Sequence, residues 1–187
     1  NRAGEIERLD QFKSATYTRF DLSSNGAKIA VSIAGKRPDI EILDIQKGSS
    51  TKITTQGINW WPIWSPDDSE ILFSKGENIA RSQKIMQSNS LGTSPEKTLF
   101  SSDSPIGPDD WSSDGTKVAV VNWPKQTGYL DLTKDPVEFK ELSSSEGSSI
   151  FGINFSPDGK WISFSSSIAG GYNCYIAPTD RPDEAQL

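Results

Sequence analysis

The chain has 187 residues, 34% of them hydrophobic and 24% charged, with a formal net charge of −6. That is enough apolar material for one core, and the negative sign argues against a nucleic acid or an anionic membrane surface as partner. A single cysteine, Cys174, excludes an intramolecular disulfide, and the lack of any histidine removes Ser-His-Asp and Cys-His catalysis and most zinc arrangements. In chain order, the N-terminal stretch Asn1 Arg2 Ala3 Gly4 Glu5 has no initiator methionine and neither the basic nor the apolar part of a signal peptide, so a mature or excised piece of a longer protein is expected. No apolar run approaches the ~20 residues of a membrane helix, and no membrane insertion by this segment is expected. Glu5 to Leu9 reads as an extra strand.

Four related turns follow: Leu22 Ser23 Ser24 Asn25 Gly26, Trp64 Ser65 Pro66 Asp67 Asp68, Trp111 Ser112 Ser113 Asp114 Gly115, and Phe155 Ser156 Pro157 Asp158 Gly159. Their first residues are 42, 47 and 44 positions apart. The order has a mechanism, since Pro presets φ early in a turn, Asp bonds back to the backbone and Gly accepts positive φ. Each turn leads into an apolar run typical of strands: Lys28 to Val31, Glu70 to Phe73, Lys117 to Val120 and Trp161 to Phe164. Third strands are expected at Asp39 to Asp44, Lys84 to Ser88, Gly128 to Asp131 and Asn173 to Ala177. Fourth strands are expected at Thr51 to Thr54, Glu96 to Phe100, Glu138 to Leu142 and Glu184 to Leu187.

A period of this length filled by four strands is that of a propeller blade. The expected fold is all-β, a β-propeller of about four four-stranded antiparallel blades at 15–54, 58–100, 106–142 and 150–187, with 5–9 as the outer strand of a preceding blade. Complete rings often hold more than four blades, so a partial, open propeller is expected, the rival being closure by the first segment pairing with the last blade. An open arc exposes strand edges, which makes self-association an expectation as well.

Gly57 Ile58 Asn59 Trp60 Trp61 Pro62 Ile63 Trp64 Ser65 Pro66 Asp67, with Phe155 Ser156 Pro157 Asp158 Gly159 Lys160 Trp161 Ile162 Ser163 Phe164, resembles the TolB-type, WD-like β-propeller repeat. The resemblance covers essentially all four blades. It is greatest to the propeller C-terminal to bacterial serine/threonine kinases, and similar propellers occur in TolB and ahead of prolyl-oligopeptidase hydrolase domains. It implies a binding or sensing platform for protein or peptide partners, periplasmic or otherwise extracytoplasmic, with the cytoplasm left open. Asp68 stands where the repeat favours Gly, Ser24 and Ser113 where it favours Pro, and Asn25 where it favours Asp. These departures are expected to weaken individual turns. Nothing resembles a kinase catalytic loop.

The residues point to binding instead of catalysis. Cys174 has no histidine to activate it, Gly170 Gly171 reads as a turn, and the match of Asn154 Phe155 Ser156 to a glycosylation sequon reads as accidental because Phe155 is a core mark and Pro157 follows. Asp67, Asp68 and Asp114 belong to the turns, which leaves Asp109 and Asp110, and adjacent strand residues face opposite ways and so do not make a two-carboxylate site. No calcium-loop spacing occurs. No catalytic residue, metal or cofactor is expected. Loops leading into the innermost strands gather at one end of a propeller channel, which nominates Asn59, Trp60, Trp61, Asp109, Asp110 and Asn154 as binding residues. Consecutive tryptophans cannot both face one blade interface, so at least one of Trp60 and Trp61 is free to be exposed or to line the channel, the alternative being that both are buried between blades, whereas Trp64, Trp111 and Phe155 recur at one position and should pack between blades. The expected function is a noncatalytic module that binds or senses a protein or peptide. The alternative is the gating propeller of a prolyl-oligopeptidase-type peptidase, and a third reading is a sugar-cleaving or lactonase-like propeller.

Overall fold

The computed structural model describes residues 9–122, 126–142, 150–167 and 171–185. Its local chemistry begins at the serine of each repeated turn. The hydroxyls of Ser23, Ser65, Ser112 and Ser156 donate to Asn25, Asp67, Asp114 and Asp158 at 3.0, 2.6, 2.7 and 2.6 Å. The same hydroxyls accept the backbone N–H of Lys28, Glu70, Lys117 and Trp161, the first residue of the following strand, at 2.9, 2.9, 2.8 and 3.0 Å. The fourth turn position takes a left-handed φ, at Gly26, Asp68, Gly115 and Gly159. A side-chain hydroxyl thus stands in for backbone partners that the turn leaves unmet.

Between these turns the chain forms four antiparallel sheets laid down in sequence order. Blade one holds β1 (Tyr17–Leu22), β2 (Lys28–Ile33), β3 (Asp39–Asp44) and β4 (Ser49–Lys52). Blade two holds β5 (Ile58–Trp64), β6 (Glu70–Gly76), β7 (Lys84–Asn89) and β8 (Lys97–Ser101). Blade three holds β9 (Ile106–Trp111), β10 (Lys117–Asn122), β11 (Gln126–Asp131) and β12 (Glu138–Glu141), and blade four holds β13 (Ile150–Phe155), β14 (Trp161–Ser166) and β15 (Asn173–Pro178). The expected strands recur with ends displaced by a few residues.

The last expected strand is not seen among the described residues. Instead of a strand at Glu184 to Leu187, Pro182–Glu184 is a 3₁₀ turn, and the fourth sheet has three strands among the described residues. Pro182 has no N–H for a ladder and its fixed φ suits the first position of a turn, while the Arg181 guanidinium folds back onto Glu184 at 2.9 Å. Residues 186–187 lie outside the described set, as do 5–8 of the expected preceding strand. Leu9 is not in a strand. The described residues after it run along blade one, where the Ala34 N–H donates to the Thr16 carbonyl at 2.8 Å and Lys13 pairs with Glu41 at 2.6 Å. Among the described residues no strand of blade four pairs with this segment, and the arc is open.

Three apolar clusters hold the arc together, one per blade interface. Ala30, Ile40 and Ile42 of blade one meet Trp64, Ile71, Phe73 and Met86 of blade two. Ile63, Leu72 and Ile85 then meet Ile106, Val118, Val120 and Leu130 of blade three, with Trp111 packed alongside. Ala119 and Leu142 meet Ile153, Ile162, Phe164, Tyr175 and Ala177 of blade four, with Phe155 alongside. Strand alternation explains this: Ala30, Leu72 and Ala119 face the following blade, while Ile71 and Val118, next to the last two, face the preceding one, as Ile162 does in blade four. The three turn aromatics pack between blades, as their recurrence requires. Trp64 is the most buried, and Asp21 of blade one accepts its backbone N–H at 2.8 Å on the carboxylate and its indole N–H at 3.1 Å on the carbonyl.

Candidate functional site

Each innermost strand loses register once, close to the same point. The irregularity falls between Tyr17 and Arg19 in β1, between Trp60 and Ile63 in β5, at Asp109 opposite the Ala119–Val120 step in β9, and between Phe151 and Asn154 in β13. A bulge turns a side chain out of the alternation that the rest of the strand obeys. Here the four bulges turn toward one another. Arg19, Trp61, Gly107, Asp109, Val121, Phe151 and Gly152, drawn from all four blades, line a cavity of about 270 Å³ among the inner strands.

Trp61 has a φ of 52° and Gly152, at the equivalent place in blade four, has 66°. Glycine takes this backbone freely, but a tryptophan there is held against its own preference at a cost of about 1–2 kcal/mol. Its backbone N–H donates to the Ser32 hydroxyl of blade one at 3.1 Å, and its indole lies so close to Gly107 that a Cβ there would overlap the ring. The Arg19 guanidinium crosses from blade one to blade three and pairs with Asp109 Oδ1 at 2.7 Å. Asp109 Oδ2 accepts the Ile153 N–H of blade four at 3.3 Å.

Asp110 turns away from the cavity into the interface between blades three and four, where its carboxylate accepts the N–H groups of Trp111 at 2.9 Å and Phe155 at 2.6 Å. Asp21 does the same one interface earlier, taking the N–H groups of Leu22 at 2.9 Å and Trp64 at 2.8 Å. Burial is the main force raising the pKa of both above the ordinary carboxylate value, opposed by these hydrogen bonds; Asp110 is raised further by the charges of Asp21 and Asp109.

Of the six residues nominated from the sequence, the structure brings Trp61 and Asp109 together in the cavity. Asn59 is fully buried at the blade one to two contact, with its amide donating to the Gln56 carbonyl at 3.1 Å and its backbone N–H to Pro38 at 3.0 Å. Trp60 is half-buried, its indole nitrogen enclosed without an acceptor among the described residues. Asn154 is exposed and caps the bulge in β13 by donating to the Gly152 carbonyl at 2.9 Å. Sequence reasoning missed Arg19, Gly107, Val121, Phe151 and Gly152. A usable signal existed for Arg19, which stands three residues before its turn residue, as Trp61 does before Trp64.

Larger hollows lie elsewhere, about 540 Å³ beside Lys75, Arg81 and Lys84 in blade two, about 650 Å³ beside Lys117, Tyr129, Trp161 and Arg181, and about 300 Å³ between the turns at Ser65 and Ser113. None of these three draws on more than two blades. Among the described residues, no three of His, Cys, Asp and Glu are grouped to hold a metal ion. The channel cavity presents a guanidinium, an engaged carboxylate and aromatic surface.

The architecture is that of a β-propeller, and solved structures share it. A protein described as TolB from Agrobacterium tumefaciens superposes with a TM-score of 0.76 at 20% identity over 93% of this chain. TolB from Acinetobacter baumannii gives 0.68 at 20% identity over 87%, and a prolyl endopeptidase gives 0.68 at 14% identity over 92%. The chain spans 62%, 41% and 28% of the length of these three proteins, and the likeness is one of fold. No family model and no curated protein sequence matches the chain.

Proposed function

We propose that this chain is a noncatalytic propeller module that holds a protein or peptide segment in the cavity between Arg19, Trp61, Asp109 and Phe151. The observation that supports the reading is Trp61, a large ring kept in a left-handed backbone where glycine would be free of strain, and facing a cavity to which every blade contributes. Strain of this kind persists where the surrounding structure over-determines it, and such places cluster at binding and switch sites. In a parent of the kinase-linked type suggested by the sequence, occupancy would be reported to a linked domain, and an extracytoplasmic location goes with that form.

The test is selection of a displayed random-peptide library on the chain and on Trp61→Gly, which keeps the backbone conformation and removes the ring. Sequences retained by the first and lost from the second support the reading. Equal retention by both places the contact surface elsewhere and overturns it. The likeness to a prolyl endopeptidase favours a second reading, a propeller that filters substrates for a separate hydrolase domain. A hydrolase domain on the same polypeptide, with cleavage of long peptides altered by Trp61→Gly, would favour it over the first.

A further inference from the structure

We propose that the cavity selects the free carboxylate of a peptide that ends in an apolar residue. This rests on the reading of the channel as a peptide site and names the chemistry it recognises. The acidic groups around the cavity are already engaged. Asp109 is held by Arg19 on one oxygen and by the Ile153 N–H on the other, and Asp21 and Asp110 each take two backbone N–H groups, one per oxygen.

Arg19 is the opposite case. A guanidinium carries five N–H donors, and Arg19 makes one such bond among the described residues, through Nη2 to Asp109. Its side chain is 42% exposed against 11% for Asp109, so the charge that an incoming group meets is positive, although the chain as a whole is at −6. A planar guanidinium with free donors fits a carboxylate in paired hydrogen bonds better than it fits any single acceptor.

The remaining walls are apolar: the Trp61 indole packed over Gly107, Val121 and the Phe151 ring, with Gly152 leaving open space beside them. At about 270 Å³ the space lies below the usual range for a drug-sized ligand and suits the end of a chain. A terminal apolar residue meets both demands, placing its side chain against the indole and its carboxylate on Arg19. An internal segment would leave the guanidinium facing a neutral amide, and a basic one would be repelled by it.

The experiment compares one tetrapeptide, Gly-Gly-Ser-Phe with a fluorophore on its N-terminus, as free acid and as C-terminal amide, by fluorescence anisotropy on the whole chain. The free acid is expected to bind about tenfold or more tightly than the amide, and the gap to close in Arg19→Gln. Because Arg19 also ties two blades, Arg19→Lys is measured in parallel; it keeps the charge but not the planar fork, and should leave a smaller gap. The comparison in the unmutated chain decides the matter whatever the variants do. Equal affinity for acid and amide, with both lost in Trp61→Gly, overturns carboxylate selection and leaves the peptide site standing. Binding of neither form overturns carboxylate selection; if the displayed library also returns nothing, the peptide site falls with it.

Discussion

Trp61 shows how a single residue departs from strand rules for a reason that lies in another blade. Its left-handed φ, the Ser32 hydroxyl on its N–H and the bare face of Gly107 beneath its ring form one arrangement. In Trp61→Gly, relief of the backbone cost, about 1–2 kcal/mol, offsets the lost ring contact, so urea denaturation should place the variant within about 1 kcal/mol of the unmutated chain while peptide retention falls. The turn aspartates make a different prediction. Ser65 and Ser69 hold Asp67, and Thr116 and Ser112 hold Asp114, with folded pKa values of about 2 against an ordinary 3.8. The ionised forms therefore stabilise the fold above about pH 4, and that contribution is lost as the pH falls toward 2. Asp21 and Asp110, with raised values, work in the opposite sense and become less costly on acidification. Thermal unfolding between pH 5 and 2 should show a shallower acid decline in Asp114→Asn than in the unmutated chain. Trp61 and Asp109 stand out in the sequence because an aromatic pair and an acidic pair lie just before the turn aromatics Trp64 and Trp111. Arg19 and Phe151 do not, because alternation alone does not say where a bulge will turn a side chain.

At the level of strands and turns, legibility followed local chemistry. The strand that follows each turn starts from a turn whose Ser, Asp or Asn and last positions each have a bond to make, and all four of these strands are found. Glu184, where a last strand was expected to begin, lies instead in a 3₁₀ turn, because Pro182 and the Arg181 to Glu184 pair favour a turn over a ladder edge. Departures from the repeat turned out to serve the joints between blades. The Asp68 carboxylate accepts the Ser24 N–H at 2.7 Å and the Ser24 hydroxyl at 2.9 Å across the blade one to two joint, and the Ser113 hydroxyl donates to the Pro157 carbonyl at 2.8 Å across the three to four joint. The turn aromatics are not equivalent either. Trp64 is 5% exposed and bonded twice to Asp21, whereas Trp111 is half-buried with its indole N–H on the Gly115 carbonyl of its own turn at 3.2 Å. Trp64→Ala should cost about 3–5 kcal/mol in urea denaturation, and Trp111→Ala less.

Among the described residues, one kind of face-to-face joint occurs three times, and the outer faces of the first and last blades carry apolar side chains of their own. Blade four leaves Phe151, Trp161 and Ile176 exposed, and blade one leaves Phe20 and Leu22 exposed. Apolar side chains left open on both end blades offer surfaces on which a second copy stacked head to tail is expected to pack. Sedimentation of the isolated chain is expected to show a mass that rises with concentration, and Ile176→Lys to suppress the rise.

The link between Arg19 and Asp109 skips a blade. In arrays whose units touch only their immediate neighbours, units can melt away one at a time from either end. A strut from the first unit to the third couples those two and encloses the second, so the three should lose structure cooperatively, while the fourth, outside the strut, frays first. Amide hydrogen exchange on the native chain should show protection falling abruptly at β13–β15, and Arg19→Gln should replace that step with a gradual decline along the arc.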